Sequence, residues 1–140
     1  MTLQRALAAL ALVLRCGGVL LTCAFGAVFL PTNWMAAVHS WLGLGEFPAA
    51  ALTDYLARSV SALYGFHGVL LFIVSGDPVR YERIVLYLGV ANIVFGLMLF
   101  GIDLHAGLPV WWTAFEGPPV AGLGVLLLYL RSRMGGLVKS

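Results

Sequence analysis

The sequence is poor in charged residues, which make up only 10% of its 140 positions, whereas hydrophobic residues make up 61%. Soluble domains carry about 25% charged and about 45–50% apolar residues. This chain therefore has too little polar surface to coat a water-soluble globule. The net charge is only +2 and the basic residues form no run, so no nucleic-acid partner is predicted.

Cysteine is also scarce, with only Cys16 and Cys23 in the chain. In a helix the two would lie about 10 Å apart along the axis, whereas a disulfide requires Cα atoms within about 7 Å. The prediction is two unpaired thiols buried among apolar side chains. Sequence patterns for zinc, phosphate-binding loops, dinucleotides and hydrolase nucleophiles are missing too. No metal, cofactor or catalytic residue is therefore predicted.

The chain is rich in long apolar segments, and four of them stand out, at residues 6–30, 54–74, 79–104 and 110–130. Each has about 20 residues or more, which as a helix spans roughly 30 Å of hydrocarbon. The predicted fold is an all-α bundle of four transmembrane helices, forming a single integral membrane domain over residues 1–140. No small-residue cleavage site follows the first segment, so a retained helix is predicted rather than a signal peptide.

The distribution of lysine and arginine predicts the orientation in the membrane. In a four-span topology seven of the eight basic residues lie on one side, and only Arg58 falls elsewhere, inside a helix. Such a bias marks the cytoplasmic side. Both termini are therefore predicted to be cytoplasmic. The seven residues are Arg5, Arg15, Arg80, Arg83, Arg131, Arg133 and Lys139.

The first outer loop carries apolar residues at helical spacing, namely Trp34, Val38, Trp41 and Leu42. This pattern predicts a short interfacial helix between about Trp34 and Leu42, with the tryptophans at headgroup level. Capping residues are predicted for the spans that follow. Thr53 is the candidate cap of the second span and Asp77, followed by a proline, that of the third.

Four charged residues are predicted to meet in the outer third of the membrane: Arg58, Glu116, Asp103 and Asp54. Charged groups in hydrocarbon cost at least about 2.5–3.5 kcal/mol, so each requires an explanation. The predicted arrangement is an ion-pair network centred on Arg58, with Glu116 as its first partner and Asp103 as its second. Three interpretations stay open: a structural clasp, a polar ligand pocket open to the outer face, and snorkelling without pairing.

Two successive prolines, Pro118 and Pro119, interrupt the fourth span directly after Glu116 and Gly117. They remove two backbone donors and predict a kink with unpaired carbonyl groups at Ala114 and Phe115. Arg58 is a candidate donor to those carbonyls.

Three polar residues are predicted to lie at mid-membrane depth. Asn92 shares a small-residue stripe with Gly89 and Gly96, which predicts tight helix contact and an interhelical hydrogen bond. His67 is a candidate partner of Asn92, of a carbonyl or of another subunit. Tyr64 and His67 are three residues apart and share one helix face, where contact with a quinone headgroup is the functional alternative.

Several stretches resemble a recurring family of small four-helix bacterial membrane proteins. The resemblance covers about residues 31–119, and in size and helix count the chain is also similar to DoxX-like proteins. The resemblance implies the four-helix fold, a bacterial source and therefore a location in a bacterial inner membrane, and it implies no activity. The stretches are Pro-Thr-Asn-Trp-Met at 31–35, residues 41–48, Tyr-Leu-Ala-Arg-Ser at 55–59, Gly-Ile-Asp-Leu at 101–104, Pro-Val-Trp-Trp at 109–112 and Glu-Gly-Pro at 116–118.

The leading functional prediction is a non-catalytic accessory or scaffolding subunit of a membrane complex. The loops are too short for a catalytic domain, and four helices leave little room for a transport path. The alternative is a membrane protein that binds a quinone or another small lipophilic ligand at the Arg58 and Glu116 pocket. The predicted partners are membrane lipids and other membrane subunits, or further copies of the chain.

Overall fold

The computed structural model describes residues 2–48 and 50–138, and these residues form helices and no strand. Four stretches are long and apolar enough to cross a membrane: Leu3–Phe29, Ala51–Gly76, Glu82–Ala106 and Val110–Met134. The predicted all-α fold with four spans is therefore confirmed. The helices are α1 (Leu3–Thr22), α2 (Phe25–Phe29), α3 (Thr32–Trp41), α4 (Ala51–Gly76), α5 (Glu82–Ala106), α6 (Val110–Phe115) and α7 (Gly117–Val138).

Helices α4 and α5 do not begin at the residues that the predicted caps imply. Thr53 lies inside the first turn of α4, whose backbone already begins at Ala51. The carboxylate of Asp77 accepts a hydrogen bond from the backbone N–H of Arg80 at 3.0 Å, but α5 begins only at Glu82. Asp77 therefore caps the turn that precedes α5, and both predicted cap assignments are corrected. Lys139, part of the charge argument, lies outside the described residues.

The chain divides into two compact units, each described separately below. The first unit is Leu14–Ile73 and the second unit is Met1–Val13 together with Val74–Ser140. The single domain predicted over residues 1–140 stays a prediction.

In the first unit α1 approaches α4 through glycine. A Cβ atom added at Gly68 would lie 2.5 Å from Thr22 Oγ1 and 2.8 Å from the carbonyl oxygen of Gly18. Only a residue without a side chain allows this distance, which brings the two backbones together. Cys16 and Cys23 are unpaired, as predicted, but exposed. Cys16 is not buried because α1 turns the face with Gly18 and Thr22 toward α4, and Cys23 lies in the turn between α1 and α2.

In the second unit α5 packs on α7 through glycines of both helices. A Cβ atom at Gly89 would meet Leu128 Cδ2 at 2.5 Å, and one at Gly96 would meet the backbone N of Ala121 at 2.5 Å. The tight contact predicted for Gly89 and Gly96 is confirmed. Apolar side chains fill the rest of this core, and the largest fully buried ones in the unit are Leu10, Val74, Val85, Leu88 and Leu127.

The loop after the first span contains the predicted short helix. Helix α3 begins after Pro31, whose carbonyl accepts hydrogen bonds from the backbone N–H groups of Trp34 at 2.9 Å and Met35 at 3.2 Å. Trp34 and Trp41 are 62% and 82% exposed. A ten-residue helix with two uncovered indoles suits a membrane–water interface, where tryptophan is enriched.

Candidate functional site

Arg58 pairs with Asp54, which lies one turn earlier on α4. Its Nε donates to Asp54 Oδ2 at 2.8 Å, and its Nη2 donates to Asp54 Oδ1 at 3.1 Å. The four-residue spacing puts both side chains on one helix face, so the planar guanidinium meets both carboxylate oxygens. The side chains are 29% and 32% exposed, so the pair lies at a partly open surface.

Two further groups tie this pair to the preceding helices. Arg58 Nη1 donates to the carbonyl oxygen of Val28, at the end of α2, at 2.5 Å. Thr32 Oγ1, in the first turn of α3, donates to Asp54 Oδ1 at 2.9 Å and accepts from Arg58 Nη2 at 3.3 Å. We call Arg58, Asp54, Thr32 and the Val28 carbonyl the Arg58 cluster. It joins α2, α3 and α4 within the first unit.

The local sequence explains why Val28 offers a free carbonyl. In a continuous helix that oxygen would accept from the N–H group four residues later, at Thr32. Helix α2 ends at Phe29, before Pro31. The freed carbonyl accepts a hydrogen bond from the guanidinium instead, since a backbone acceptor within a membrane span requires a partner.

The Arg58 cluster uses almost the full hydrogen-bonding capacity of its cation. A guanidinium carries five N–H donors, and four hydrogen bonds leave Arg58: one from Nε, one from Nη1 and two from Nη2. A guanidinium whose N–H donors are nearly all bonded within the protein can hold neighbouring helices together, as a structural clasp requires. It leaves little of the cation for a substrate.

A cavity of about 310 Å³ opens beside the cluster. Its wall combines apolar side chains with the hydroxyl group of Thr32 and the carboxylate of Asp54. The loop that forms part of the wall is held by a hydrogen bond between His39 Nδ1 and the carbonyl oxygen of Gly45, with 3.1 Å between the atoms. The lining residues are Thr32, Phe47, Pro48, Ala50, Ala51 and Asp54.

The second unit contains a separate polar group, which we call the Asp103 cluster: Asp103, Glu116 and Trp112. Asp103 is only 3% exposed, and its Oδ2 is buried without a hydrogen-bond partner among the described residues. Glu116 is half-buried. Its Oε2 accepts a hydrogen bond from Trp112 Nε1, and the carboxyl group of Asp103 lies nearby.

The ends of two helices bring these carboxyl groups together. Helix α5 ends at Ala106, and its C-cap residue Gly107 has a φ of +67°, the left-handed conformation that glycine adopts without strain. The N–H of Leu108 then closes back on the carbonyl oxygen of Asp103 at 3.1 Å. Glu116 is the C-cap residue of α6 and directly precedes α7. The chain breaks there because the two following prolines fit only in the first turn of a new helix.

The four predicted charged residues are thus distributed over two clusters. Arg58 lies with Asp54 in the first unit, and Asp103 lies with Glu116 in the second. The pairing of Arg58 with Glu116 or Asp103 would join the two units and stays a prediction, as does donation from Arg58 to the carbonyls after α6.

Three participants were missed from the sequence, and each carries a recognisable signal. Thr32 directly follows Pro31 at the start of the predicted short helix, where hydroxyl side chains often serve as caps. The Val28 carbonyl precedes the same proline, which ends the helix pattern. Trp112 lies four residues before Glu116, the spacing at which side chains of one helix face meet.

The mid-membrane residues behave differently from the prediction in one respect. The side-chain amide of Asn92 donates to the carbonyl oxygen of Leu88 at 2.7 Å, within α5 itself. This bond lies within one helix, because the carbonyl one turn earlier is within reach of a short amide side chain. The predicted interhelical bond of Asn92 stays a prediction. Tyr64 and His67 lie on α4 in the first unit, and the pairing of His67 with Asn92 stays a prediction.

Among residues 2–48 and 50–138, no three or more His, Cys, Asp or Glu side chains come together as a metal site. Comparison with protein-family models, curated proteins and solved structures finds no match for this chain.

Proposed function

We propose that this chain is a non-catalytic membrane protein that acts as an accessory or scaffolding subunit of a membrane complex. The observation that carries the proposal is the engagement of Arg58: four of its hydrogen bonds end on Val28, Thr32 and Asp54 of its own unit. A reactive site keeps donors or acceptors free for its substrate. A clasp uses them to hold helices in one arrangement, which is the requirement of a scaffold.

The proposed setting is a bacterial inner membrane with both termini in the cytoplasm. The support is the grouping of basic residues at the chain ends and at the α4–α5 turn, which contains Arg80 and Arg83. The exposed indoles of α3 are then on the outer side of that membrane.

Co-purification tests the scaffolding proposal. The tagged chain is cross-linked in its native membrane, extracted in mild detergent and weighed by native mass spectrometry. We expect a stoichiometric membrane-protein partner or a second copy of this chain. Cross-linking before extraction controls for dissociation by the detergent. A cross-linked sample that contains only single chains with lipid would contradict the proposal.

The cavity beside the Arg58 cluster favours a second candidate, binding of a small lipophilic ligand such as a quinone. Its volume of about 310 Å³ lies at the lower end of the range of ligand pockets. Apolar walls with a few polar groups at one side are typical of such pockets. The carboxylate of Asp54 retains a free acceptor position on Oδ2 for a donor group of the ligand.

A cavity-filling variant distinguishes the second candidate from the first. Ala51→Trp fills the cavity without removing a polar group, and Leu52→Trp on the neighbouring, 65% exposed position is the matched control. If the cavity binds a ligand, we expect native mass spectra to show a bound lipophilic molecule in the wild type and in Leu52→Trp, and none in Ala51→Trp. A molecule still bound to Ala51→Trp would show that the ligand does not bind in this cavity.

A further inference from the structure

Four arginines lie at one end of the second unit, where the turn before α5 and the last turns of α7 meet. Helix α5 begins at Glu82, and an ion pair of 2.8 Å between Glu82 Oε1 and Arg131 Nη2 joins this beginning to α7. Asp77 and Glu82 are the acidic residues of the same end, so positive charge is in excess there. We call the four arginines the arginine patch: Arg80, Arg83, Arg131 and Arg133.

The exposed guanidinium groups of the arginine patch have few acceptors within the protein. That of Arg83 makes no hydrogen bond or ion pair among the described residues, and that of Arg80 lies over the ring of Tyr81, with 5.7 Å between Cζ and the ring centroid. Arg133 Nη2 donates to Tyr129 Oη at 3.2 Å. Because each guanidinium carries five N–H donors, most donors of the patch remain for water or for an anion.

Arg131 gives the clearest evidence for an anion at this patch. Its side chain is 29% exposed, yet its Nε is buried and has no hydrogen-bond partner among the described residues. A buried donor without an acceptor is costly. Arg58, by contrast, directs four hydrogen bonds to groups of its own unit. Glu82 holds the guanidinium of Arg131 in place, and an anionic oxygen beside it would supply the acceptor.

The position of the arginine patch favours a lipid headgroup as the source of that anion. The patch lies at the ends of the third and fourth spans, which is the level of the headgroup phosphates in a bilayer. Tyr87 lies four residues after Arg83 and Tyr129 four residues before Arg133, so each shares a helix face with its arginine. These tyrosines are 68% and 48% exposed. Exposed aromatic rings next to a basic end are typical of side chains that contact lipid at the membrane–water interface.

We propose that the arginine patch binds the phosphate group of an anionic phospholipid. The planar guanidinium of Arg131 donates to the phosphate oxygens. Arg80, Arg83 and Arg133 provide the excess positive charge that favours anionic over zwitterionic lipids, and basic pockets between membrane-spanning helices bind such headgroups. The acyl chains lie along the exposed faces of α5 and α7. A single chain is sufficient for this site, so the proposal goes beyond the scaffolding function and does not depend on it.

Native mass spectrometry at limiting lipid concentration tests the site. The purified full-length chain is mixed in detergent with equal amounts of phosphatidylglycerol and phosphatidylcholine that carry the same acyl chains, and the ratio of the two bound lipids is measured. We expect the wild type to retain phosphatidylglycerol preferentially. In the double variant Arg83→Gln with Arg131→Gln, we expect this ratio to fall at least about fivefold, which is the contribution of one arginine near an anionic surface.

The matched control is the double variant Arg5→Gln with Arg15→Gln. Both of these arginines are exposed on α1, so the variant loses the same charge at positions outside the patch. We expect it to keep the lipid ratio of the wild type. If Arg83→Gln with Arg131→Gln does not fold, as judged by its Tm, Arg80→Gln with Arg83→Gln gives the same test, because it changes only exposed side chains.

Three results would overturn the proposal. The first is a wild-type protein that binds the two lipids equally. The second is an equal fall of the ratio in the control variant, which would show that general charge attraction, rather than the arginine patch, selects the lipid. The third is displacement of phosphatidylglycerol by excess inorganic phosphate but not by the same concentration of chloride, which would show that the patch takes free phosphate instead of a lipid headgroup.

Discussion

Arg58 and Asp54 are joined by two hydrogen bonds, of 2.8 and 3.1 Å, across one turn of α4. The acidic residue precedes the basic one, which is the orientation that the helix dipole favours. An isolated pair of this kind contributes little at a protein surface. Here the same guanidinium also reaches the end of α2 and the start of α3, so the pair organises the region around Pro31.

Removing the guanidinium should therefore loosen three helices. We expect Arg58→Ala to lower the Tm of the purified protein most and Arg58→Lys to lower it less. A lysine ammonium keeps the charge but cannot meet two carboxylate oxygens and a carbonyl in one plane. Arg133→Ala is the control, because Arg133 is exposed near the end of α7. A Tm for Arg58→Ala equal to that of Arg133→Ala would refute the clasp.

Thr32 should matter through its hydroxyl group alone. Thr32→Val keeps the branched shape but loses the donor to Asp54 and the acceptor for Arg58. We expect a smaller loss of Tm than for Arg58→Ala, with faster hydrogen exchange in the first turn of α3. Asn33→Ala, one residue further on the exposed surface, is the control. Unchanged hydrogen exchange in Thr32→Val would show that the Thr32 hydroxyl group does not hold α3 to the Arg58 cluster.

The glycines of α7 provide a matched pair of substitutions. A Cβ atom at Gly124 would lie 2.5 Å from the carbonyl oxygen of Gly89 and 2.7 Å from the backbone N of Ile93, whereas Gly122 has open space. Gly124→Ala should cost about 1–3 kcal/mol through overpacking. Gly122→Ala should change stability by about 1 kcal/mol or less, in the stabilising direction. Denaturation of the two variants in the same detergent measures the difference, and similar losses would contradict the α5–α7 contact.

Helix positions and glycine contacts could be predicted because their signals are local. Apolar length marks the spans, and the spacing of Gly89 and Gly96 marks one helix face. The polar partners could not be predicted in the same way. Residues at equal predicted depth, such as Arg58 and Glu116, have no spacing that shows whether their helices are neighbours. A nearby backbone group can also satisfy a side chain first, as Leu88 does for Asn92.

Trp112 should stabilise the break in the fourth span through its indole N–H. Trp112→Phe keeps an aromatic ring but removes the hydrogen bond to Glu116, and we expect a loss of about 1–3 kcal/mol. Trp111→Phe is the control, since this neighbouring indole is exposed and touches Trp112 only edge-on, at 5.5 Å between ring centroids. Equal effects of the two substitutions would show that ring size, rather than the hydrogen bond, is what stabilises the break.

The orientation in the membrane is predicted from charge and can be tested by reporter fusions. Seven of eight basic residues lie on one side of a four-span topology, and such residues are retained in the cytoplasm during insertion. A reporter that is active only in the cytoplasm should therefore work when fused after Ser140 or inserted after Asp77. It should be inactive when inserted after Gly45, in the loop between α3 and α4.

An even number of spans returns the chain to its starting side. Activity after Gly45 together with inactivity after Ser140 would therefore show the opposite topology, with both termini outside the cytoplasm. Activity at all three positions would mean that the apolar helices do not all cross the membrane.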